Sequence, residues 1–276
     1  MPILITRLAV SLSFGLITAL DPGICFGCAN SSPEPPPAQK QGVEYQLTHF
    51  IGASREIKLP AKPALTLTLV SPERVAGFAG VNRYFGAYWL GAEGRVYWRT
   101  PGFGSTMMAG PQESMVLEQL FLQSLARTEC LQLNGGDLRF ETQDGATQLE
   151  FVERAKLKAL AAVKDTTFLL VRMVVNSSDL TLDPNSPITL LLAADGHVSG
   201  SAAINRYHGG YTLSDGGNFA LTGPLATTRM AGPPELMALE DSFLKALGKV
   251  TALQPTEGGA ALWNDDRSVL LEFRQQ

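Results

Sequence analysis

Apolar and polar residues alternate over short stretches in two parts of the chain, and this period of two predicts β-strands. In the first part the predicted strands lie near residues 43–50, 65–70, 74–79, 84–90 and 95–99. In the second part they include residues 168–174, 188–193, 197–202, 207–213 and 218–222. Glycine-containing turns at 91–94 and 214–217 separate the last two strands of each set.

A helical pattern follows each set of strands. Pro111 and Pro233 are well placed to start these helices, because the first helical turn does not need the N–H that proline lacks. The helical period ends near residues 126 and 248, and further strands close the two parts at 148–152 and 269–274. The pattern predicts an α+β protein. Each part is expected to form a curled antiparallel sheet, or partly open barrel, with one helix packed across it.

Each predicted helix carries one acidic residue on its apolar face, Glu118 in the first part and Glu240 in the second. A buried carboxylate is costly unless it is paired or hydrogen-bonded. Arg83 and Arg206 supply a cation at matching positions, so the sequence predicts the ion pairs Glu118–Arg83 and Glu240–Arg206, or carboxylates that accept nearby backbone N–H groups. We expect either arrangement to stabilise the fold; a pair that lines a pocket is the alternative.

The two parts are copies of one unit. Val81–Tyr84 returns as Ile204–Tyr207, 123 residues later, whereas Thr106–Pro111 returns as Thr228–Pro233, 122 residues later. The second copy therefore lacks one residue, which we place in the loop around 99–104. The repeated motif positions include Asn82, Tyr84, Met108, Asn205, Tyr207 and Met230. We expect the asparagines to satisfy backbone groups in turns and the tyrosines to lie in the core or at its rim.

The repeat divides the chain into two predicted domains, at residues 42–153 and 166–276. Between them, residues 154–165 are rich in helix formers and lack glycine and proline, which predicts a short helical connector. Residues 29–41 are rich in proline and serine and are expected to form an extended tether.

Residues 1–28 have the pattern of a signal peptide. Arg7 is followed by the apolar stretch Leu8–Leu20, whose length suits a signal-peptide core and is short for a membrane span. Cleavage before Cys28 would make this cysteine the acylated first residue of a lipoprotein. The Pro-rich tether favours this interpretation, as does the lack of an evident partner for Cys130.

Two other processing routes stay open. Cleavage after Ala29 would release a soluble protein, and an uncleaved segment 3–20 would act as an anchor. A disulfide between Cys28 and Cys130 is the alternative fate of these cysteines. All three processing routes place the folded domains outside the cytoplasm, in the periplasm or at the outer membrane.

Composition and motifs exclude several kinds of function. The net charge is −4 and the chain has no run of lysine or arginine, which argues against nucleic-acid binding. Cys25 and Cys28 have the spacing of a metal or redox pair, but no second pair or nearby histidine supports such a site. None of the three histidines repeats between the copies, and no catalytic motif occurs. The sequence therefore predicts no metal, no cofactor, no catalytic residue and no enzymatic activity.

The repeated blocks resemble the META domain of HslJ-like proteins. They contain Asn-Arg-Tyr, then Thr-x-Met-Ala-x-Pro, then a helix with Glu-x-Met-x-Leu-Glu, and the resemblance covers both copies. Family members usually have cysteines at the positions of Val81 and Gly110, and at those of Ile204 and Gly232. Because both cysteines are absent in both copies, we expect the two positions of each copy to touch.

The resemblance implies a small envelope-associated domain that is linked to stress resistance and has no established reaction. We therefore expect a non-catalytic envelope lipoprotein that binds a protein or a lipid-like ligand and is attached to the membrane through acylated Cys28. A secretion or assembly accessory of the pilot type is one alternative. A soluble inhibitor-like or enzymatic module is another.

Overall fold

The structure is a computed structural model that describes residues 42–100 and 102–276. Within these residues it has two antiparallel sheets and three α-helices. None of these helices is long and apolar enough to cross a membrane. The predicted signal peptide 1–28, the tether 29–41 and the acylation of Cys28 lie outside the described residues.

Domain 1 (residues 42–153) consists of ten strands and one α-helix. The strands are β1 Glu44–Gly52, β2 Arg55–Glu56, β3 Thr66–Ser71, β4 Arg74–Phe78, β5 Arg83–Leu90, β6 Val96–Trp98, β7 Gly104–Ser105, β8 Cys130–Asn134, β9 Asp137–Glu141 and β10 Gln148–Glu153. Helix α1 spans Gln112–Arg127, and Ala92–Gly94 forms a 3-10 turn.

Domain 2 repeats this order after the connecting helix α2, which spans Arg154–Val163. Its strands are β11 Thr167–Val175, β12 Ser178–Asp179, β13 Thr189–Leu192, β14 His197–Ser201, β15 Arg206–Leu213, β16 Phe219–Leu221, β17 Ala226–Thr227, β18 Ala252–Thr256, β19 Gly259–Trp263 and β20 Val269–Gln275. Helix α3 spans Pro234–Leu247.

Each sheet is curled until its two end strands almost meet. In domain 1 the strand order is β6-β5-β4-β3-β1-β10-β9-β8, with β2 paired to β1 and β7 paired to β5; domain 2 has the same order in its own strands. The seam of domain 1 is bridged by Arg95 and Cys130, and that of domain 2 by Asn218 and Ala252. Each domain is therefore a nearly closed barrel with one seam, which confirms the predicted fold class.

Alternating strand residues fill the interior of each barrel, and the helix packs its buried residues against them. In domain 1, Phe121 and Leu125 of α1 are fully buried, and the Phe121 ring meets the edges of Phe50, Tyr84 and Phe151. Such edge-to-face contacts add to the free energy gained by burying the rings.

The connecting helix contacts both domains. Leu160 and Val163 of α2 are buried in the core of domain 2. On the other side, the Nζ atom of Lys156 lies 2.7 Å from Oδ2 of Asp137 in domain 1. Residues 154–163 of the predicted connector are thus helical and packed.

The observed elements agree with the sequence pattern to within about two residues, the usual uncertainty of element ends. The pattern did not predict the two-residue strands β2, β7, β12 and β17. The one-residue difference between the copies lies where it is expected. Arg99 and Thr222 make equivalent hydrogen bonds at an offset of 123, whereas Ser105 and Thr227 pair equivalently at an offset of 122.

Cys130 is buried at the start of β8 and is disulfide-bonded. The other cysteines of the chain, Cys25 and Cys28, lie outside the described residues. The expectation that Cys130 has no partner is therefore wrong, and one of the two arguments for an acylated Cys28 no longer holds.

Candidate functional site

Glu118 is the centre of a polar network that joins α1 to the turn before β5. Its side chain is buried (9% exposed), and Oε2 accepts the backbone N–H groups of Val81 (3.1 Å) and Asn82 (2.6 Å). Oε1 accepts the side-chain amide of Asn82 at 2.9 Å. Three donors thus converge on one carboxylate, and this compensates for its removal from water.

Asn82 extends the network to the segment before α1. Its Nδ2 also donates to the carbonyl of Met108 (3.2 Å), and its Oδ1 accepts the Met108 N–H (2.7 Å) and the Thr106 hydroxyl (2.7 Å). The Thr106 Oγ1 in turn accepts the N–H of Arg83 at 3.2 Å. One asparagine therefore connects the strand turn, the segment before the helix and the helix itself.

Domain 2 contains the same network. Glu240 accepts the backbone N–H of Asn205 (2.8 Å) and its side-chain amide (2.9 Å). Asn205 bonds the backbone of Met230 in both directions and accepts the hydroxyl of Thr228 at 2.7 Å. Glu240 is half-buried and accepts two of these hydrogen bonds where Glu118 accepts three.

Of the two arrangements that the sequence predicts for Glu118 and Glu240, the structure has the second. The ion pairs with Arg83 and Arg206 are not present among the described residues, and both arginines are exposed on the outer side of their strands. The reason is geometric: the backbone N–H groups of the same turn already surround the carboxylate, while alternate residues of a strand point to opposite faces.

The other repeated motif residues serve the fold. Tyr84 and Tyr207 are buried, and their hydroxyls donate to the carbonyls of Thr66 (3.0 Å) and Thr189 (2.8 Å). Burial raises the pKa of both phenols far above the usual value. Met108 and Met230 enter the network through their backbone only, and their side chains are exposed.

The two positions where family members usually have cysteines do touch. A Cβ atom added to Gly110 would lie 2.7 Å from Cγ1 of Val81 and 3.3 Å from its Cβ. In domain 2 a Cβ at Gly232 would lie 2.4 Å from Cδ1 of Ile204. The branched side chain of each copy therefore occupies the space that a residue larger than glycine would need.

An apolar cleft in domain 2 lies between β11, the segment 182–188 and one residue of α3, Leu239. Its volume is about 280 Å³, near the lower end of the range for ligand pockets. The lining residues, mostly apolar, are Leu169, Leu170, Val171, Leu182, Asp183, Pro184, Ser186, Pro187, Ile188 and Leu239. A β-bulge shifts the register of β11 between Leu170 and Arg172, and this leaves Val171 half exposed beside the cleft.

Two strand positions of this cleft are polar in domain 1. With the offset of 123, Gln46 and Thr48 stand where domain 2 has Leu169 and Val171. A cavity of about 390 Å³ in domain 1 lies instead along α1, and its lining residues are Gln112, Met115, Val116, Glu118, Gln119 and Leu122. Its one carboxylate, that of Glu118, is already held by the network.

In the part of the chain that the structure describes, no group of three or more histidine, cysteine, aspartate or glutamate side chains could hold a metal ion. The groups there whose pKa is shifted are tyrosines, an arginine and aspartates outside both cavities. No described feature therefore supports a catalytic centre.

The META domain family model matches residues 38–156 and 161–276. The chain belongs to the META domain family. The two matches coincide with the two barrels, so the tandem arrangement is that of two META domains. Among curated proteins, none matches this chain.

Three solved structures are similar to this META protein. An NMR structure of a protein from Burkholderia xenovorans has 29% identity and a TM-score of 0.37, over 44% of this chain and 88% of that one. A second NMR structure has 26% identity and a TM-score of 0.32, over 41% and 92% of the two chains. A crystal structure of a DUF4847 family protein from Bacteroides vulgatus ATCC 8482 has 11% identity and a TM-score of 0.32, over 41% and 94%.

Sequence reasoning missed several residues of the META networks and of the cleft. The repeat marks Thr106 and Thr228 as matching positions, but it does not show that their hydroxyls donate to the motif asparagines. The cleft residues Leu169 and Val171 were included in a strand only. A position-by-position comparison of the two copies could have marked these cleft residues, since Leu169 and Val171 both have polar counterparts in domain 1.

Proposed function

We propose that this protein is a non-catalytic binding protein of the cell envelope, exported and held at a membrane by its N-terminal segment. Domain 2 takes one acyl chain of a lipid-like ligand, and the role is to support envelope stress resistance. The observation that carries the proposal is the apolar cleft between β11, the segment 182–188 and α3.

The chemistry of the cleft favours an acyl chain. Its one charged residue is engaged in its own loop, since Oδ1 of Asp183 accepts the N–H of Asn185 (2.9 Å) and the Asp183 carbonyl accepts the N–H of Ser186 (3.1 Å). A ligand therefore gains free energy by burying apolar surface, about 0.8 kcal/mol for each methylene group. The small volume suits a single chain.

The difference between the copies supports a specific role for this cleft. Leu169 and Val171 are partly exposed, so the fold does not require them to be apolar. Domain 1 has the same bulge in β1, between Leu47 and His49, with Gln46 and Thr48 at the matching positions. Leu169 and Val171 thus lie where a strand with the same bulge tolerates polar residues in the other copy.

Export is supported by the disulfide of Cys130, because structural disulfides persist in oxidising compartments outside the cytoplasm. The same sulfur chemistry links the disulfide of Cys130 to how the N-terminus is processed. Cleavage before Cys28 removes Cys25, and acylation occupies the sulfur of Cys28. An acylated chain therefore cannot also form an intrachain disulfide with Cys130.

Ligand binding is tested by titration with a fluorescent long-chain fatty acid. The double variant Leu169→Gln/Val171→Thr, which carries the residues of domain 1, is expected to bind at least about tenfold more weakly, which is about 1.4 kcal/mol. The matched control is Val70→Thr, an exposed apolar residue outside the cleft. Equal affinity of both variants and the native protein would contradict the proposal.

Attachment is tested by the intact mass of the protein purified from its native membranes, with and without reductant. A lipoprotein shows acyl mass on Cys28 and no mass gain on reduction. A retained N-terminal anchor shows the full chain and a gain of two hydrogens. A chain that begins after residue 29 would contradict membrane attachment.

A further inference from the structure

The outer side of β4, β5 and β6 in domain 1 carries an unusual set of exposed residues. We call this surface the aromatic face and define it by its rings and cations, Phe85, Trp89, Tyr97, Arg74, Arg83 and Arg99. The three rings are 64%, 52% and 43% exposed, respectively. Exposure of this size is unusual for three large rings on neighbouring strands.

The rings are arranged in an ordered way on the sheet. Trp89 and Tyr97 are opposite each other on β5 and β6, and their rings stack with centroids 4.4 Å apart and an angle of 25°. Phe85 lies on the same side of β5, over Gly104 of β7, where an added Cβ would come within 2.5 Å of the ring. The glycine thus makes room for an outward-lying ring.

Domain 2 shows that the barrel does not need these rings. Its β15 and β16 have His208, Thr212 and Ala220 at the positions of Phe85, Trp89 and Tyr97. The residue paired with His208 is Ala226, where domain 1 has Gly104. The ring at 85 and the glycine at 104 therefore change together between the copies, as expected of two residues in contact.

The charge of the aromatic face is positive. Arg74 and Arg83 are exposed on β4 and β5 and form no ion pair among the described residues. Arg99 is paired with Glu73, whose Oε2 lies 3.1 Å from its Nη2. The face therefore carries about two net positive charges, although the whole chain has a net charge of −4.

We propose that the aromatic face docks on the surface of an anionic lipid bilayer. Tryptophan and tyrosine favour the boundary between headgroups and acyl chains because their rings are apolar with one polar atom. Arginines next to them are attracted by anionic headgroups. A protein is the other occupant that a surface rich in aromatic rings and arginine would suit, and the test below distinguishes the two.

The position of the face in the chain favours the same partner. This docking rests on the proposed function in one respect: the N-terminal attachment brings domain 1 near a bilayer. The 21 residues between Leu20 and Gly42 can span at most about 70 Å. Domain 1, and not domain 2, follows this segment directly, so the domain with the aromatic face is the one beside the membrane.

The test uses the full chain reconstituted in vesicles that contain brominated lipids, which quench tryptophan emission on contact. Quenching of native protein is compared with that of Trp89→Thr and of the swap Trp89→Thr/Thr212→Trp, which moves the ring to the matching site of domain 2. We expect quenching of the native protein in vesicles with phosphatidylglycerol and its loss in both variants. Two net charges correspond to about a 30-fold shift of docking between neutral and anionic vesicles.

Flotation of the protein with the vesicles reports attachment separately, so a failure of attachment and a failure of docking are distinguishable. If the floated native protein is not quenched in anionic vesicles, the proposal is overturned and a protein becomes the expected occupant. Equal quenching of the native protein and the swap variant also overturns it, because proximity alone would then explain the signal. Quenching that is equally strong in neutral vesicles removes the role of the arginines and overturns the proposal as stated.

Discussion

The two domains of this chain share a polar network and differ in their surfaces. Domain 1 has three large exposed rings on the outer side of β4–β6, and domain 2 has histidine, threonine and alanine there. Domain 2 has an apolar cleft beside β11, and domain 1 has polar residues at two of the strand positions that line it, Gln46 and Thr48. The comparison separates the features that both META barrels keep, such as the polar network, from surface features that occur in one copy only.

The network also differs in degree between the copies, and this gives the largest expected effect. Glu118 is buried and accepts three hydrogen bonds, whereas Glu240 is half-buried and accepts two. Removal of a buried carboxylate leaves its donors without partners. We expect Glu118→Ala to lower the free energy of unfolding of domain 1 by about 4 kcal/mol, and Glu240→Ala to lower that of domain 2 by about 2 kcal/mol.

Calorimetry of the two-domain protein measures both effects. Tryptophan fluorescence assigns the transitions, since Trp89 and Trp98 lie in domain 1 and Trp263 in domain 2. Glu113→Ala, an exposed residue of the same helix, is the matched control and should change little. Equal losses in both domains would show that burial of the carboxylate does not set its contribution.

The contact between the motif blocks gives the second effect. The variant Val81→Cys/Gly110→Cys removes the branched side chain and brings two Cβ atoms to about 3.3 Å, a few tenths below the usual disulfide range. We expect an oxidised bond that closes a loop of about 29 residues and stabilises domain 1 by about 3 kcal/mol. Thiol titration with and without reductant detects the bond, and calorimetry measures its effect.

The single variant Gly110→Ala is the control for this pair. Its added methyl group would lie 2.7 Å from Val81, so we expect a loss of stability that Val81→Ala in the same chain relieves. Failure of the double-cysteine variant to oxidise would mean that the two blocks are not as close as described.

Much of this architecture could be predicted from the sequence, because repetition adds information. Three features recur at offsets of 122 or 123: the Asn-Arg-Tyr block, the strand periods and the acidic residue on the helix. A pattern that arises by chance in one copy would not recur in the other. The helix and strand ends follow from prolines and alternation, which are local signals.

The partners of the charged residues could not be predicted in the same way. Sequence spacing showed that Glu118 needs donors, and it could not show whether the Arg83 side chain or the backbone beside it supplies them. That choice depends on which face of β5 meets α1. A disulfide of Cys130 could be named from the sequence only as an alternative, and the cleft of domain 2 depends on contacts between residues that are distant in the chain.

The smallest effect concerns the turn before β5, where the two copies differ in backbone strain. Gly80 has φ of 112°, and its counterpart Ala203 has φ of 78°, in a region that side chains other than glycine rarely adopt. We expect Ala203→Gly to stabilise domain 2 by about 0.5–1 kcal/mol, and Gly80→Ala to destabilise domain 1 by about 1 kcal/mol, since its Cβ meets no close neighbour and only the backbone cost remains. Denaturant unfolding of the two variants measures both. If Ala203→Gly were instead destabilising, the methyl group of Ala203, which packs against the core of domain 2, would contribute more than its backbone costs, and packing rather than strain would explain why the copies differ at this turn.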